Sequence, residues 1–356
     1  MKSIRQVLNE KKLLRVVLVF LTQMLFYTAV AQDEKNEYRN EKAYIDDFGK
    51  NELYIKESLA EYHKSIFSSL SEERKAITLT KIVNKLEKIN SVLINHDEGL
   101  KGDVTLKNAF VNLNSKTVEL LKNRILILED YAEMSNKSLA ELDFIFSEKE
   151  KAITEYYKII SDFEKTKRQF GLKYKVLIRA YMKKNIFEYF TIENYSYYKV
   201  GVIDQKFIKL INENKKEEAM VCFNYLNKMS DEILIKIEQN KADIVDLSLN
   251  EINKKYIECI RTSNTLMNAY FTQYIDSNKE LQLAKKNENL SIEAYNSIVK
   301  NFNEKKNTFF KNFPTIQNKK QEMVYEYNSI KSKFLLNNIE LENNYKTYAT
   351  GFDQMK

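Results

Sequence analysis

Apolar residues recur along this chain at alternating four- and three-residue steps, the spacing that keeps one face of an α-helix buried. From Asp103 onward the series Leu106, Phe110, Leu113, Thr117, Leu120, Arg124, Ile127, Tyr131, Met134 follows it without a break. Val111, Val118, Leu121, Ile125 and Leu128 form a second stripe beside the first. The buried face is therefore wider than a two-stranded seam needs, and it predicts a multi-helix bundle. The same steps carry Leu139, Leu142, Phe146, Ile153, Tyr156, Ile160 and Phe163, and later Phe223, Leu226, Ile233, Ile237, Ile244, Leu247, Ile252, Tyr256 and Ile260. A last seam holds Met323, Tyr327, Ile330, Phe334, Leu341, Tyr345 and Tyr348, with Asn337 inside it as a register-setting polar position.

Element boundaries follow from capping chemistry. A first helix is expected from about Glu41 to Leu70, weakened around Asp46–Gly49. Ser69 with Glu72, and Ser138 with Glu141, have capping-box spacing, while Asp103 is placed to cap the helix that follows it. The run NHDEGLKG, with Gly99 and Gly102, is the clearest loop. Pro314 suits the first turn of a final helix, and Asn240-Lys241 is the weakest point of a long periodic stretch. Helices of thirty to fifty residues would span roughly 45–75 Å, so the expected form is an elongated all-α bundle of a single domain over 32–356.

Composition agrees with that class. The 356 residues include 6 Gly, 1 Pro and 2 Cys, too little turn material for sandwiches, barrels or glycine-rich nucleotide loops. Residues 1–31 stand apart. Lys2, Arg5, Lys11, Lys12 and Arg15 precede the apolar run VVLVFLTQMLFYTAVA, which ends in small residues before Gln32. This is the pattern of an export signal cleaved after Ala31, with a retained anchor as the alternative, because the run is short for a span of about 20 residues. Either way the body is expected outside the cytoplasm, in the periplasm, the cell envelope or the medium.

The formal charge of +7 is largely a property of that leader. Without its five basic residues and Glu10, the chain carries +3. The segment Lys165–Phe187 alone holds eight basic residues and no acid, so the remainder is −5. On one helix Arg168, Lys175, Arg179 and Lys183 would share a side, a candidate surface for an anionic membrane or envelope polymer. The competing reading is a solvated face paired to neighbouring acidic helices. The adjoining stretch 186–203, IFEYFTIENYSYYKVGVI, is dense in aromatic and β-branched residues and has strand propensity. It is expected as a short aromatic corner or hairpin, packed by Tyr195, Tyr197 and Tyr198.

Cys222 and Cys259 lie symmetrically about Asn240-Lys241. If the chain reverses there, the sulfurs come level and a disulfide is feasible; if one helix runs straight through, roughly 55 Å separates them. His63 and His96 are the only histidines and belong to no metal-binding spacing, and no nucleophile elbow or P-loop is present. His96 beside Asp97 is the one acid–base neighbourhood, and loop positions of that kind are ordinarily solvated. No cofactor or metal is implied, and export argues against a nucleic-acid partner. The sequence thus reads as a non-enzymatic exported protein that works through protein partners or self-association along its helices. The alternative is a peripheral membrane-binding or membrane-perturbing protein using 165–203.

Overall fold

A computed structural model describes residues 40–67, 72–123, 128–176 and 185–340. Nine α-helices account for most of them: α1 Glu41–Phe67, α2 Glu72–His96, α3 Thr105–Lys122, α4 Tyr131–Ser135, α5 Leu139–Lys173, α6 Ile186–Asn212, α7 Lys216–Asn240, α8 Ser248–Ala284 and α9 Ile292–Leu335. A short π turn, Leu336–Glu340, follows α9. Among the described residues there is no strand, only a Leu100–Asp103 bridge that closes the two-glycine loop. The export signal, the Ser69 cap, Arg124, Ile127, Arg179, Lys183 and the seam beyond Ile339-Glu340 lie outside the described residues.

The all-α multi-helix bundle is what the periodicity predicts, and one hydrophobic cluster runs through it from Tyr44 to Leu335. The helix α5 is its spine. Its carboxyl-terminal half packs antiparallel to α1 and α3, through Tyr44–Phe170 and Phe110–Phe163 ring contacts, and Phe48–Phe110 joins α1 to α3. Its amino-terminal half lies against α6 and α7, where Phe146 meets Tyr195 and Tyr198 and the Tyr225 hydroxyl donates to Asp143. The helices α6, α7, α8 and α9 form an up-down-up-down four-helix bundle. Glu193 meets Asn253 and Asp204 meets Asn264, both eleven residues on, so α6 and α8 run parallel. Tyr197 stacks on Tyr327 while Asp204 pairs with Lys320, so α9 runs antiparallel to α6. At about 1.5 Å per residue, the 37 residues of α8 and 44 of α9 are rods of roughly 55 and 65 Å.

The start of α5 is as the capping chemistry implies. Ser138 and Glu141 form a reciprocal capping box at α5, whereas the cap of α3 is Val104 rather than Asp103, which sits one residue earlier and accepts from the Thr105 amide. Asp46–Gly49 does not interrupt α1, because Tyr44, Ile45 and Phe48 are fully buried there and packing outweighs weak propensity.

Four expectations are corrected. First, 186–203 is neither a corner nor a hairpin: it is the first two thirds of α6, the most buried helix. Residues on every side of it are covered, so aromatic and β-branched side chains gain more from burial than they lose in helix propensity. Second, Lys165–Phe187 is not one helix. The helix α5 stops at Lys173, and Lys175 takes a left-handed conformation with φ 54°. The Val176 amide reaches the Gly171 carbonyl at 2.8 Å and that of Lys175 the Leu172 carbonyl at 3.3 Å, a Schellman closure. Third, Pro314 lies deep inside α9, whose true cap is Ser291. The partner that proline denies would be the carbonyl of exposed Phe310, which water can satisfy. Fourth, Asn337 is exposed in the π turn, and the buried polar residue of the α9 seam is Lys320.

Candidate functional site

The densest buried chemistry lies where α6, α7, α8 and α9 meet. The buried seam of α8 advances through positions 250, 253, 257, 260, 264 and 267, and three of these are asparagines. Each faces an acid of α6. The Glu193 carboxylate, fully buried, accepts from Asn250 at 3.0 Å, Asn253 at 2.9 Å and Asn240 at 3.2 Å. Asn240 and Asn253 also hold the carbonyls of Tyr189 and Glu193, while the Asn250 amide donates to the Tyr189 hydroxyl at 3.0 Å. Burial pushes the Glu193 carboxyl up, and the three amides act against that shift.

Three helical turns further along α6, Asp204 receives the Lys320 ammonium at 2.7 Å and the Asn264 amide at 2.7 Å. This second layer joins α6, α8 and α9. Between the two layers sit Tyr197, Tyr256 and Tyr327, with the Tyr197 and Tyr327 rings stacked at 3.6 Å. Lys331 lies over the same rings, 5.6 Å from that of Tyr327, and desolvation lowers its amine to about 8. Burial raises the Tyr197 phenol to about 12 and that of Tyr327 well above its ordinary value.

Chemically these layers are closed. The lone pairs of Glu193 point at amide donors and Asp204 is neutralised by Lys320, so neither offers open coordination to a metal or substrate. Among the described residues no group of three His, Cys, Asp or Glu is arranged to hold a metal ion. An open surface groove of about 540 Å³ lies between α2 and α3 and is lined by Glu87, Asn90, Ser91, Ile94, Asn95, Ser115 and Val118. Its amides and hydroxyls largely bind one another, as in Asn90 to Ser115 at 2.8 Å, and Glu87 pairs with Lys122.

The residues singled out from sequence fare differently. Arg168 and Lys175 are exposed, but the break after Lys173 takes them off a common helical side. Their basic neighbours are paired internally: Lys165 with Asp162, Lys173 with Asp103, and fully buried Lys167 with both Glu52 and Glu164 at 2.9 Å. Asp103 is correspondingly held far below the usual carboxylate range by Lys173.

The chain does reverse after Asn240, yet the turn occupies 241–247. Cys222 is therefore eighteen residues before Asn240 and Cys259 eleven after Ser248, an axial offset of roughly 10 Å. Both are free thiols: Cys222 is buried against the Ile203 carbonyl, and Cys259 is half-buried beside Ser263. His96 is exposed whereas Asp97 turns inward to accept from the Gly99 amide at 2.7 Å, so the two do not form an acid–base pair.

The polar layers were not anticipated from the apolar pattern. The signal was present in Asn250, Asn253 and Asn264, which keep heptad spacing with the apolar seam of α8. No family model matches the chain, and no curated protein or solved structure matches it significantly.

Proposed function

We propose that this is a non-enzymatic helical protein of the cell envelope or periplasm, exported by residues 1–31 and acting by binding another macromolecule along its helices. The observation that carries the reading is the use made of interior charge. Glu193, Asp204 and Lys320 occupy seam positions where polar groups fix register, and their bonding capacity is spent on neighbouring helices. An interior of this kind favours one rigid alignment of long rods, which suits a scaffold. The leader pattern supplies the compartment.

Cell fractionation with amino-terminal sequencing tests it. A mature chain beginning at Gln32 in the exported fraction is the expected result; a chain beginning at Met1 in the cytoplasm overturns the reading. Turnover of any substrate that survives purification and is lost on Glu193→Gln would overturn the non-enzymatic part.

A further inference from the structure

We propose that the outer face of the amino-terminal half of α9 binds an anionic phospholipid surface. The bundle is uneven in length. The helix α6 ends at Asn212 and α7 begins at Lys216, which pairs with Asp276 of α8. Beyond that level α8 and α9 continue as a hairpin arm, whose base is packed by Phe271, Tyr274 and Phe309. No residue from Ile292 to Thr308 is buried.

The arm carries unpaired charge next to exposed apolar surface. From Lys285 to Phe313 there are six lysines and three acids, Glu288, Glu293 and Glu304, and the half from Val299 onward holds four of the lysines, one of the acids and four phenylalanines. Lys285, Lys286, Lys300, Lys305, Lys306 and Lys311 form no ion pair among the described residues, in contrast to Lys165, Lys167 and Lys173. Ile292, Val299 and Lys306 recur at seven-residue intervals, and Phe310 follows four residues on, so the four share one side of the helix. Ile292 is 76% exposed and Phe310 55% exposed. Lys300 and Lys311, eleven residues or three turns apart, line one flank of that stripe. Lys306 rests over the Phe302 ring.

Exposed apolar residues bordered by unpaired lysines match the interface of an anionic bilayer. The rings and aliphatic chains enter the headgroup boundary, while the ammonium groups remain at the phosphates. Charge complementarity selects this occupant over a neutral surface. The face supplies a partner for the interaction role proposed above and rests on that role, but not on export.

The test is co-sedimentation of the purified full chain with phosphatidylcholine vesicles, with and without phosphatidylglycerol. Binding through apolar residues 16–31 would appear on both, so the difference between them reports the charged face. The expected result is salt-sensitive binding that requires phosphatidylglycerol. At roughly fivefold per lysine, Lys300→Glu/Lys306→Glu/Lys311→Glu weakens it roughly a hundredfold. Phe310→Ser weakens it about tenfold and keeps the charges. The control Lys88→Glu/Lys158→Glu/Lys255→Glu, equal in charge change but on exposed positions elsewhere, retains binding.

Circular dichroism confirms the helical content of each variant. No preference for anionic vesicles, or equal loss in both triple variants, overturns the proposal. Retention on immobilised heparin without vesicle binding also overturns it, and points to a soluble polyanion. Because the assay is independent of compartment, its failure leaves the amino-terminal sequencing result standing, and the reverse holds.

Discussion

Gly201 shows how one missing side chain sets the approach of two elements. A Cβ there would lie 2.5 Å from Cε1 of Tyr131 and 3.2 Å from the Tyr256 hydroxyl, so α4 can close on α6 only because the position is glycine. Gly201→Ala gains about 1 kcal/mol of helix propensity but must displace the ring, and a net loss of about 1–2 kcal/mol is expected in urea unfolding. Tyr131→Ala in the same background should recover part of that loss, and a stabilised Gly201→Ala would refute the packing argument. The thiols give a second residue-scale test. Burial raises Cys222 to about 12, so a thiol reagent should label only Cys259 in the native protein and two thiols after denaturation. Fewer than two in denaturant would reveal a bridge.

At the scale of elements, the α6–α8–α9 contact depends on Lys320. Lys320→Met leaves the partly buried Asp204 carboxylate with only Asn264, and a cost of about 2–3 kcal/mol is expected. Asp204→Leu/Lys320→Met removes both charges and should be markedly more stable than the single variant. If the two are equally unstable, the layer contributes volume rather than charge pairing. Pro314 tests the longest helix. It breaks the amide ladder of α9 toward the Phe310 carbonyl, and Pro314→Ala should raise stability by about 1–3 kcal/mol, read as an increased Tm. A lower Tm would mean that α9 is shaped around the proline.

Over the whole molecule, stability at alkaline pH is set by opposed buried groups. Lys331 has its amine lowered to about 8, so between about pH 8 and 10 the unfolded chain binds the proton that the folded chain has released. Stability due to this group therefore rises with pH across that window. The buried tyrosines act in the opposite sense. Tyr156 and Tyr197 are raised to about 12, so above pH 10 the unfolded phenols ionise first and stability falls. Urea midpoints measured against pH should show the first rise in wild type and lose it in Lys331→Met, a difference of up to about 3 kcal/mol. Glu193, raised by burial, contributes a loss of stability as pH climbs from the ordinary carboxylate range through its folded value.

Helix class, the wide buried face of α3 and the Ser138 cap of α5 were legible from residue order alone, because apolar period and capping are local properties of the chain. The Glu193 and Asp204 layers were only half legible: the asparagines of α8 keep the seam spacing, but their acids lie about sixty residues away on α6. Burial of 186–203 was decided by tertiary structure. Strand propensity is a preference of half-exposed segments, and α6 is enclosed by α4, α5, α7, α8 and α9. The fate of the basic residues was decided there as well. Residue order counts charges, whereas pairing depends on which acids the fold brings within a few ångströms. It brings Asp103 and Glu52 to the basic stretch of α5, and leaves the lysines of the α9 arm facing water.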